Sequence, residues 1–104
     1  MSFADHLKQL PSVAHLSGLQ LIDAQGQVQA TIENKPGQAG SLAVYAALAA
    51  KHGCINAAAA QEGLDIYAEH TADARAFPGK HPNIDRLIQV IESGTSLSVK
   101  LLTQ

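Results

Sequence analysis

The fold is decided by the stretch Leu19-Gln20-Leu21-Ile22-Asp23-Ala24-Gln25-Gly26-Gln27-Val28-Gln29-Ala30-Thr31-Ile32. On both sides of the segment Asp23 to Gly26 the sequence alternates with the two-residue period of a β-strand that is buried on one face. Gly26 can adopt the positive φ that a tight turn requires. The stretch therefore predicts a β-hairpin with one apolar face and one Gln-rich face exposed to water.

Helical periodicity surrounds this hairpin. Before it, Phe3, Leu7 and Leu10 recur at helical spacing, and Pro11 ends the pattern. After it, the sequence predicts helices over about residues 42–52, 57–76 and 82–93, the second of them interrupted only by Gly63. The expected helix boundaries are Ser41 and Asn56 as N-caps, Pro82 at a first position, and Gly53 and Gly94 at C-termini.

A last alternating segment contains Leu97, Val99 and Leu101 and predicts a C-terminal strand. Because an isolated hairpin is only marginally stable, we expect this strand to join it. The predicted fold is α+β: a small three-stranded antiparallel or mixed sheet packed against three to four helices. No linker or internal repeat is visible, so residues 1–104 are predicted to form a single domain.

Composition excludes several classes of function. The net charge is −2 and the seven Lys and Arg residues are scattered, whereas nucleic-acid binding needs a basic stripe. No apolar run approaches the roughly 18 residues of a membrane span, so neither a nucleic acid nor a membrane is an expected partner. Cys54 is the single cysteine and cannot form an internal disulfide. A reducing, cytoplasmic location is therefore predicted.

The richest polar segment runs from Glu69 to Arg86. His70 and Asp73 are three residues apart, so a helix presents both on one face, and Pro78-Gly79 allows the chain to reverse and bring His81 back towards them. With Asp85 as a fourth candidate, these residues would suit Zn²⁺ or a similar divalent metal. His70, Asp73, Arg75 and His81 are also the candidate catalytic residues of an acid–base site.

Each of these residues also has a purely structural interpretation. Asp73 can pair with Lys80 or Arg75, His81 can cap the helix that follows it, and Asp85 can complement a helix dipole. The spacing of the polar residues matches no established metal motif, and no nucleophile or oxyanion site accompanies the histidines. The structural interpretation is therefore preferred for each of these residues taken singly.

A second candidate site is the loop from Asn34 to Ser41. Lys35, Gly37, Gly40 and Ser41 could present a positive charge and backbone N–H groups to an anion at the start of a helix. The loop lacks the patterns of both the phosphate loop and the dinucleotide fold. A tight turn whose glycines serve backbone geometry alone is the preferred interpretation.

The stretches that carry a family resemblance are Asn34-Lys35-Pro36-Gly37 with Gly40-Ser41-Leu42-Ala43-Val44-Tyr45, and Glu69-His70-Thr71-Ala72-Asp73-Ala74-Arg75 with Pro78-Gly79-Lys80-His81-Pro82-Asn83-Ile84-Asp85. Through them the chain resembles a bacterial family of short proteins, domain of unknown function 2322. The resemblance covers essentially the whole chain and implies a bacterial cytosolic protein made of one stand-alone domain. It brings no activity, cofactor or catalytic residue.

Three hypotheses about function follow. The first is a non-enzymatic binding or interaction domain without a cofactor, whose partner is a second copy of the chain or another protein. Self-association would use a sheet edge or an Ala-rich helix face. The second is a metal protein that uses His70, Asp73 and His81. The third is an enzyme in which His70 or His81 transfers protons while Arg75 or Lys35 binds an anionic substrate.

Overall fold

The protein, described over residues 1–104 by a computed structural model, has five helices and three strands. None of the helices has the length and apolarity needed to cross a membrane. In chain order the elements are α1 (Phe3–Gln9), β1 (Leu16–Ile22), β2 (Val28–Glu33), α2 (Ala39–His52), α3 (Ala57–Tyr67), α4 (Glu69–Ala76), α5 (Pro82–Ser93) and β3 (Ser98–Thr103).

The three strands form one antiparallel sheet in the order β2-β1-β3. Leu19 of β1 lies between Ile32 of β2 and Leu101 of β3. The C-terminal strand therefore joins the hairpin along the free side of β1. The predicted α+β fold is confirmed, and of the two predicted kinds of sheet it is the antiparallel one that forms.

The hairpin turn is organised by the carboxylate of Asp23. Its Oδ1 atom accepts hydrogen bonds from the backbone N–H groups of Gln25 and Gln27, both at 2.9 Å. Gly26 has the positive φ expected of it, 82°. A side-chain acceptor and one glycine are thus sufficient to reverse the chain between β1 and β2.

The core lies between the sheet and the helices and contains no charged side chain. Helix α2 contacts all three strands, and α3 packs against α2 and α5. Each large aliphatic side chain buried here contributes about 1.5–3 kcal/mol relative to full exposure. The largest fully buried side chains are Tyr45, Leu16, Leu19, Leu21, Ile32, Leu42, Leu48, Ile55, Ile84, Leu87 and Val44.

Gly63 allows α3 to approach its two neighbouring helices closely. A Cβ atom at this position would lie 2.6 Å from Cδ1 of Leu87 and 2.9 Å from Cδ1 of Leu48. Glycine inside a helix costs about 1 kcal/mol relative to alanine. The interruption that Gly63 makes in the apolar pattern therefore marks a tight helix contact, and the helix continues through it.

The prediction of one helix over residues 57–76 is wrong, because the chain breaks at Ala68. Ala68 has φ 52° and ψ −116° and ends α3, and α4 begins at Glu69. Contacts from α1 surround the break: Glu69 Oε1 accepts from the backbone N–H of Phe3 at 2.8 Å. His6 Nδ1 also lies 2.7 Å from the carbonyl oxygen of Ile66. The molecule consequently has five helices where the sequence pattern indicates four.

The predicted N-cap of α2 is also wrong. The helix begins at Ala39 and not at Leu42, and Gln38 occupies the cap position without a side-chain capping bond. The Gln38 amide oxygen instead accepts from the backbone N–H of Glu33. The Ser41 hydroxyl accepts from the hydroxyl of Tyr67 at 2.7 Å, because Tyr67 is buried and needs a partner there.

The other predicted boundaries of the helices are confirmed. Asn56 Oδ1 accepts from the backbone N–H of Ala59 at 2.8 Å, as an N-cap does. Gly53 and Gly94 end α2 and α5 with left-handed backbone conformations, and Pro82 is the first residue of α5. These boundaries depend on short-range geometry, which explains why the sequence predicts them.

The conformation of Ala68 predicts that Ala68→Gly stabilises the protein. A non-glycine residue at such a positive φ stores about 1–3 kcal/mol of strain, which glycine relieves. We expect the free energy of unfolding, measured by urea denaturation, to rise by roughly 1 kcal/mol after the entropy cost of glycine. The matched control is Ala72→Gly inside exposed α4, which should lower it by about 1 kcal/mol. A loss of stability at both positions would contradict the strain at Ala68.

Candidate functional site

A cleft of about 260 Å³ opens where the first turn of α2 faces the chain segment that leads into α5. We call it the histidine cleft. Its wall combines the two polar segments that the sequence singles out, together with residues of α1 and α3. The lining residues are Phe3, Gly37, Gly40, Ser41, Tyr67, His70, Lys80, His81, Pro82, Asn83 and Ile84.

His81 and Asp73 form a hydrogen-bonded pair at the edge of this cleft. Nε2 of His81 lies 2.6 Å from Oδ2 of Asp73, and Nζ of Lys80 lies 2.9 Å from the same oxygen. The hydrogen bonds from His81 and then Lys80 lower the pKa of Asp73 below its ordinary value of 3.8. Asp73 is therefore a carboxylate at neutral pH, and it orients the imidazole through Nε2 so that Nδ1 faces no protein partner.

Rings from three parts of the chain line the middle of the cleft. Phe3 of α1 stacks on Tyr67 with ring centroids 5.1 Å apart and meets His70 edge-on at 5.2 Å. His70 in turn lies 5.7 Å from the ring of His81. The row places two imidazoles side by side, and His70 makes no hydrogen bond to the protein.

The opposite wall is the first turn of α2. Gly40 and Ser41 have backbone N–H groups without a backbone acceptor, as first-turn residues of a helix do. The Tyr67 hydroxyl donates to Ser41 Oγ, and burial raises the pKa of Tyr67 well above its ordinary value. This tyrosine therefore stays neutral and acts as a fixed donor that holds the turn in place.

Asn83 is held in place by hydrogen bonds from Tyr45 of the core and from Arg86. Its carbonyl oxygen accepts a hydrogen bond from the buried hydroxyl of Tyr45, and burial raises the pKa of Tyr45 to about 12. The Arg86 guanidinium donates through Nη1 to Asn83 Oδ1 at 2.7 Å. The segment that carries His81 is thus tied to α2 through Tyr45.

The charges that face the histidine cleft are all of one sign. No Asp or Glu is among its lining residues, which include Lys80 and the two titratable imidazoles of His70 and His81. Two carboxylates contact its lining residues from outside: Asp73 is bonded to His81 and Lys80, and Glu69 to the backbone N–H of Phe3. The cleft therefore presents N–H groups and imidazoles and no unpaired carboxylate, although the chain has a net charge of −2.

The structure brings together six of the nine predicted site residues and leaves three apart. His70, His81, Gly37, Gly40 and Ser41 line the histidine cleft, and Asp73 contacts His81 from outside it. Lys35 pairs with Glu33 at 3.5 Å. Arg75 and Asp85 line a separate depression, where Asp85 Oδ2 accepts from the backbone N–H of Gly79 at 2.8 Å.

The four candidate metal ligands do not converge. Asp73 and His81 touch, but His70 approaches His81 only through its ring face and Asp85 is bonded within the turn at Gly79. No group of three His, Cys, Asp or Glu side chains is placed to hold a metal ion. The metal hypothesis would therefore require His70 and Asp85 to move.

Sequence reasoning missed two of the aromatic residues of the cleft. Phe3 and Tyr67 appear in the sequence as members of apolar helix stripes, which is the pattern of core residues. Their place in the cleft depends on the contact of α1 with α3 and α4, which joins residues 60 and 66 positions apart in the chain. No local pattern carries that information.

The pair of Asp73 and His81 predicts how stability varies in acid. Because the folded-state pKa of Asp73 is lowered, its contribution to stability is present above pH 3.8 and is lost as pH falls through the lower folded value. We expect Asp73→Asn to destabilise the protein above this pH and to have a shrinking effect below it. Urea denaturation across acidic pH measures this, with Glu92→Gln as the exposed control. A difference between wild type and Asp73→Asn that is constant across acidic pH would contradict the assignment.

Comparison with known proteins gives one match. The model of a family described as uncharacterized protein conserved in bacteria (DUF2322) matches residues 3–101. No curated protein and no solved structure is significantly similar to the chain. The match spans both segments of the histidine cleft, including Phe3. The chain therefore belongs to the bacterial family of domain of unknown function 2322.

Proposed function

We propose that this protein is a binding domain for a small anionic molecule, which the histidine cleft holds. One observation carries the proposal: no carboxylate lines the cleft, whereas Lys80, His70 and His81 do. A concave site with convergent polar groups is the usual form of a ligand site. It differs from the binding domain favoured by the sequence, whose partner is a protein, and it develops the anion-binding interpretation of the loop from Asn34 to Ser41.

The donors of the cleft suit a compact anion. Lys80 offers the N–H groups of its ammonium that do not face Asp73. Nδ1 of His81, which Asp73 leaves free, donates to an anion when the ring is protonated and otherwise accepts from an acidic O–H of the ligand. The backbone N–H groups of Gly40 and Ser41 point out of the first turn of α2, where the helix dipole also favours negative charge. The cleft volume of about 260 Å³ is below the usual range for drug-sized ligands. A phosphate or a small carboxylate fits these properties.

Inorganic phosphate tests the proposal through the histidine rings. We expect ring ¹⁵N signals of His70 and His81 to shift and saturate on titration, while those of exposed His15 stay in place. Because charge attraction contributes to it, phosphate binding should weaken as the ionic strength rises. His81→Gln should weaken it by about tenfold, the loss expected for one charge-assisted hydrogen bond.

The control variant in this experiment is His15→Gln, which removes an exposed histidine outside the cleft. It should bind phosphate as wild type does. Equal shifts at all five histidines, or an affinity that His81→Gln leaves unchanged, would overturn the proposal.

A second candidate is an acid–base enzyme acting on the same anion. The carboxylate of Asp73 on Nε2 of His81 favours it, because such a pair fixes the imidazole tautomer that accepts a proton. Recovery of a bound ligand chemically unchanged after long incubation would favour binding alone. Conversion of the ligand by wild type, abolished in Asp73→Asn, would favour the enzyme.

Self-association and a cytoplasmic location remain proposals. Edge strand β3 and the alanine face of α2 line one groove of about 170 Å³, to which they contribute Leu101 and the residues Ala46, Ala47 and Ala50. This supports self-association there, since the sheet edge and the Ala-rich helix face lie side by side. The lone free thiol of Cys54 supports a reducing compartment.

Self-association predicts that Leu101→Lys yields a monomer. Leu101 is 48% exposed at the edge of the sheet, and a lysine there opposes edge pairing. Sedimentation equilibrium over a range of concentrations should show a dimer for wild type and a monomer for the variant. The matched control is Val28→Lys on the opposite edge strand, where the side chain is 50% exposed. A wild-type monomer at the highest concentration would contradict self-association.

A further inference from the structure

A second, larger cleft lies between the hairpin turn and the C-terminal half of α5. Its volume is about 550 Å³, within the range of small-molecule sites. It shares no lining residue with the histidine cleft. We call it the amide cleft, after the side chains of Gln25, Gln29 and Gln89 that line it.

Arg86 lines the amide cleft as a half-buried cation without a carboxylate partner. Its Nη1 atom donates to Asn83 Oδ1 at 2.7 Å and to the Tyr45 hydroxyl at 3.4 Å, and the guanidinium lies 5.9 Å from the Tyr45 ring centroid. It takes part in no ion pair, and Nε and Nη2 have no acceptor in the protein. A guanidinium held in this way presents a preorganised fork to a planar anion such as a carboxylate.

The rest of the lining is polar and nearly uncharged. The side-chain amides of Gln25 and Gln89 and the hydroxyl of Ser96 make no hydrogen bond to the protein, and each of them can both donate and accept. Groups of this kind match the hydroxyls of a ligand, which also donate and accept. They offer nothing that would neutralise a second or third negative charge.

Asp23 is the other charged residue of the amide cleft. Its oxygens accept hydrogen bonds from the backbone N–H groups of Gln25 and Gln27 and from the Gln29 amide. These bonds, that from Gln27 most of all, lower the pKa of Asp23. The formal charges of Arg86 and Asp23 cancel across the cleft. A dianion is therefore disfavoured. A monoanion that also carries hydroxyl groups suits the cleft, because its charge faces Arg86 and its hydroxyls are tolerated beside Asp23.

The geometry points to a binding site for a small hydroxylated monocarboxylate, of the sugar-acid class, with its carboxylate on Arg86 and its hydroxyls on the glutamine amides and Ser96. The site is independent of the anion bound by the histidine cleft.

Three probes separate the parts of this proposal: gluconate carries a carboxylate and hydroxyls, glucose carries hydroxyls alone, and propionate carries a carboxylate alone. The side-chain NH₂ signals of Gln25, Gln29 and Gln89 report occupancy in ¹H–¹⁵N spectra. We expect gluconate to shift these signals in a saturable manner at concentrations up to about 50 mM. Glucose and propionate should each bind at least about tenfold more weakly, since each lacks one set of contacts.

Arg86→Lys keeps the charge but removes the fork, and it should weaken gluconate binding by about tenfold. If that variant does not fold, exposed Gln89→Ala decides: it should weaken binding several-fold, whereas Gln61→Ala on α3, outside the cleft, should not. The assignment would be overturned if gluconate shifted no signals, or only those of His70 and His81. It would also be overturned if neither Arg86→Lys nor Gln89→Ala changed the affinity for gluconate.

Discussion

Two tyrosine hydroxyls at the edge of an apolar core determine much of this architecture. Tyr45 donates to the Asn83 carbonyl and Tyr67 donates to the Ser41 hydroxyl. An unpaired buried hydroxyl would cost about 1–3 kcal/mol, and no buried side-chain nitrogen or oxygen lacks a partner. The two bonds fix the start of α5 and the first turn of α2. The need of these buried hydroxyls for hydrogen-bond partners therefore also positions the two walls of the histidine cleft.

The break at Ala68 is the second condition for the site. It separates α4 from α3, so that Asp73 reaches His81 across the Pro78-Gly79 reversal. Backbone strain at Ala68 is maintained only if other contacts compensate for it, and the bond from the Phe3 N–H to Glu69 lies directly beside it. The short helix α1, which buries no residue completely, thus closes the cleft with Phe3 and stabilises the break.

The parts of the fold that the sequence could predict are those that short-range chemistry determines. The hairpin, the third strand and the boundaries at Asn56, Gly53 and Gly94 follow from alternation, side-chain acceptors and positive φ. The break at Ala68 could not be predicted, because alanine is the strongest helix former and the cause lies in α1. For the site, the polar segment pointed to His70, Asp73 and His81. The approach of the first turn of α2 to them depends on tertiary packing that no spacing encodes.

The start of α5 joins the two clefts through one residue. Asn83 lines the histidine cleft, and its backbone carbonyl accepts a hydrogen bond from Tyr45. The Asn83 side chain accepts a hydrogen bond from Arg86, which lines the amide cleft. Charged groups that are partly buried are normally paired within the protein, because desolvation penalises an isolated charge. Arg86 has no such pair, although the chain carries more acids than Lys and Arg together. Its bonds to Asn83 and Tyr45 stabilise the start of α5, and they leave Nε and Nη2 free for the anion proposed to bind in the amide cleft.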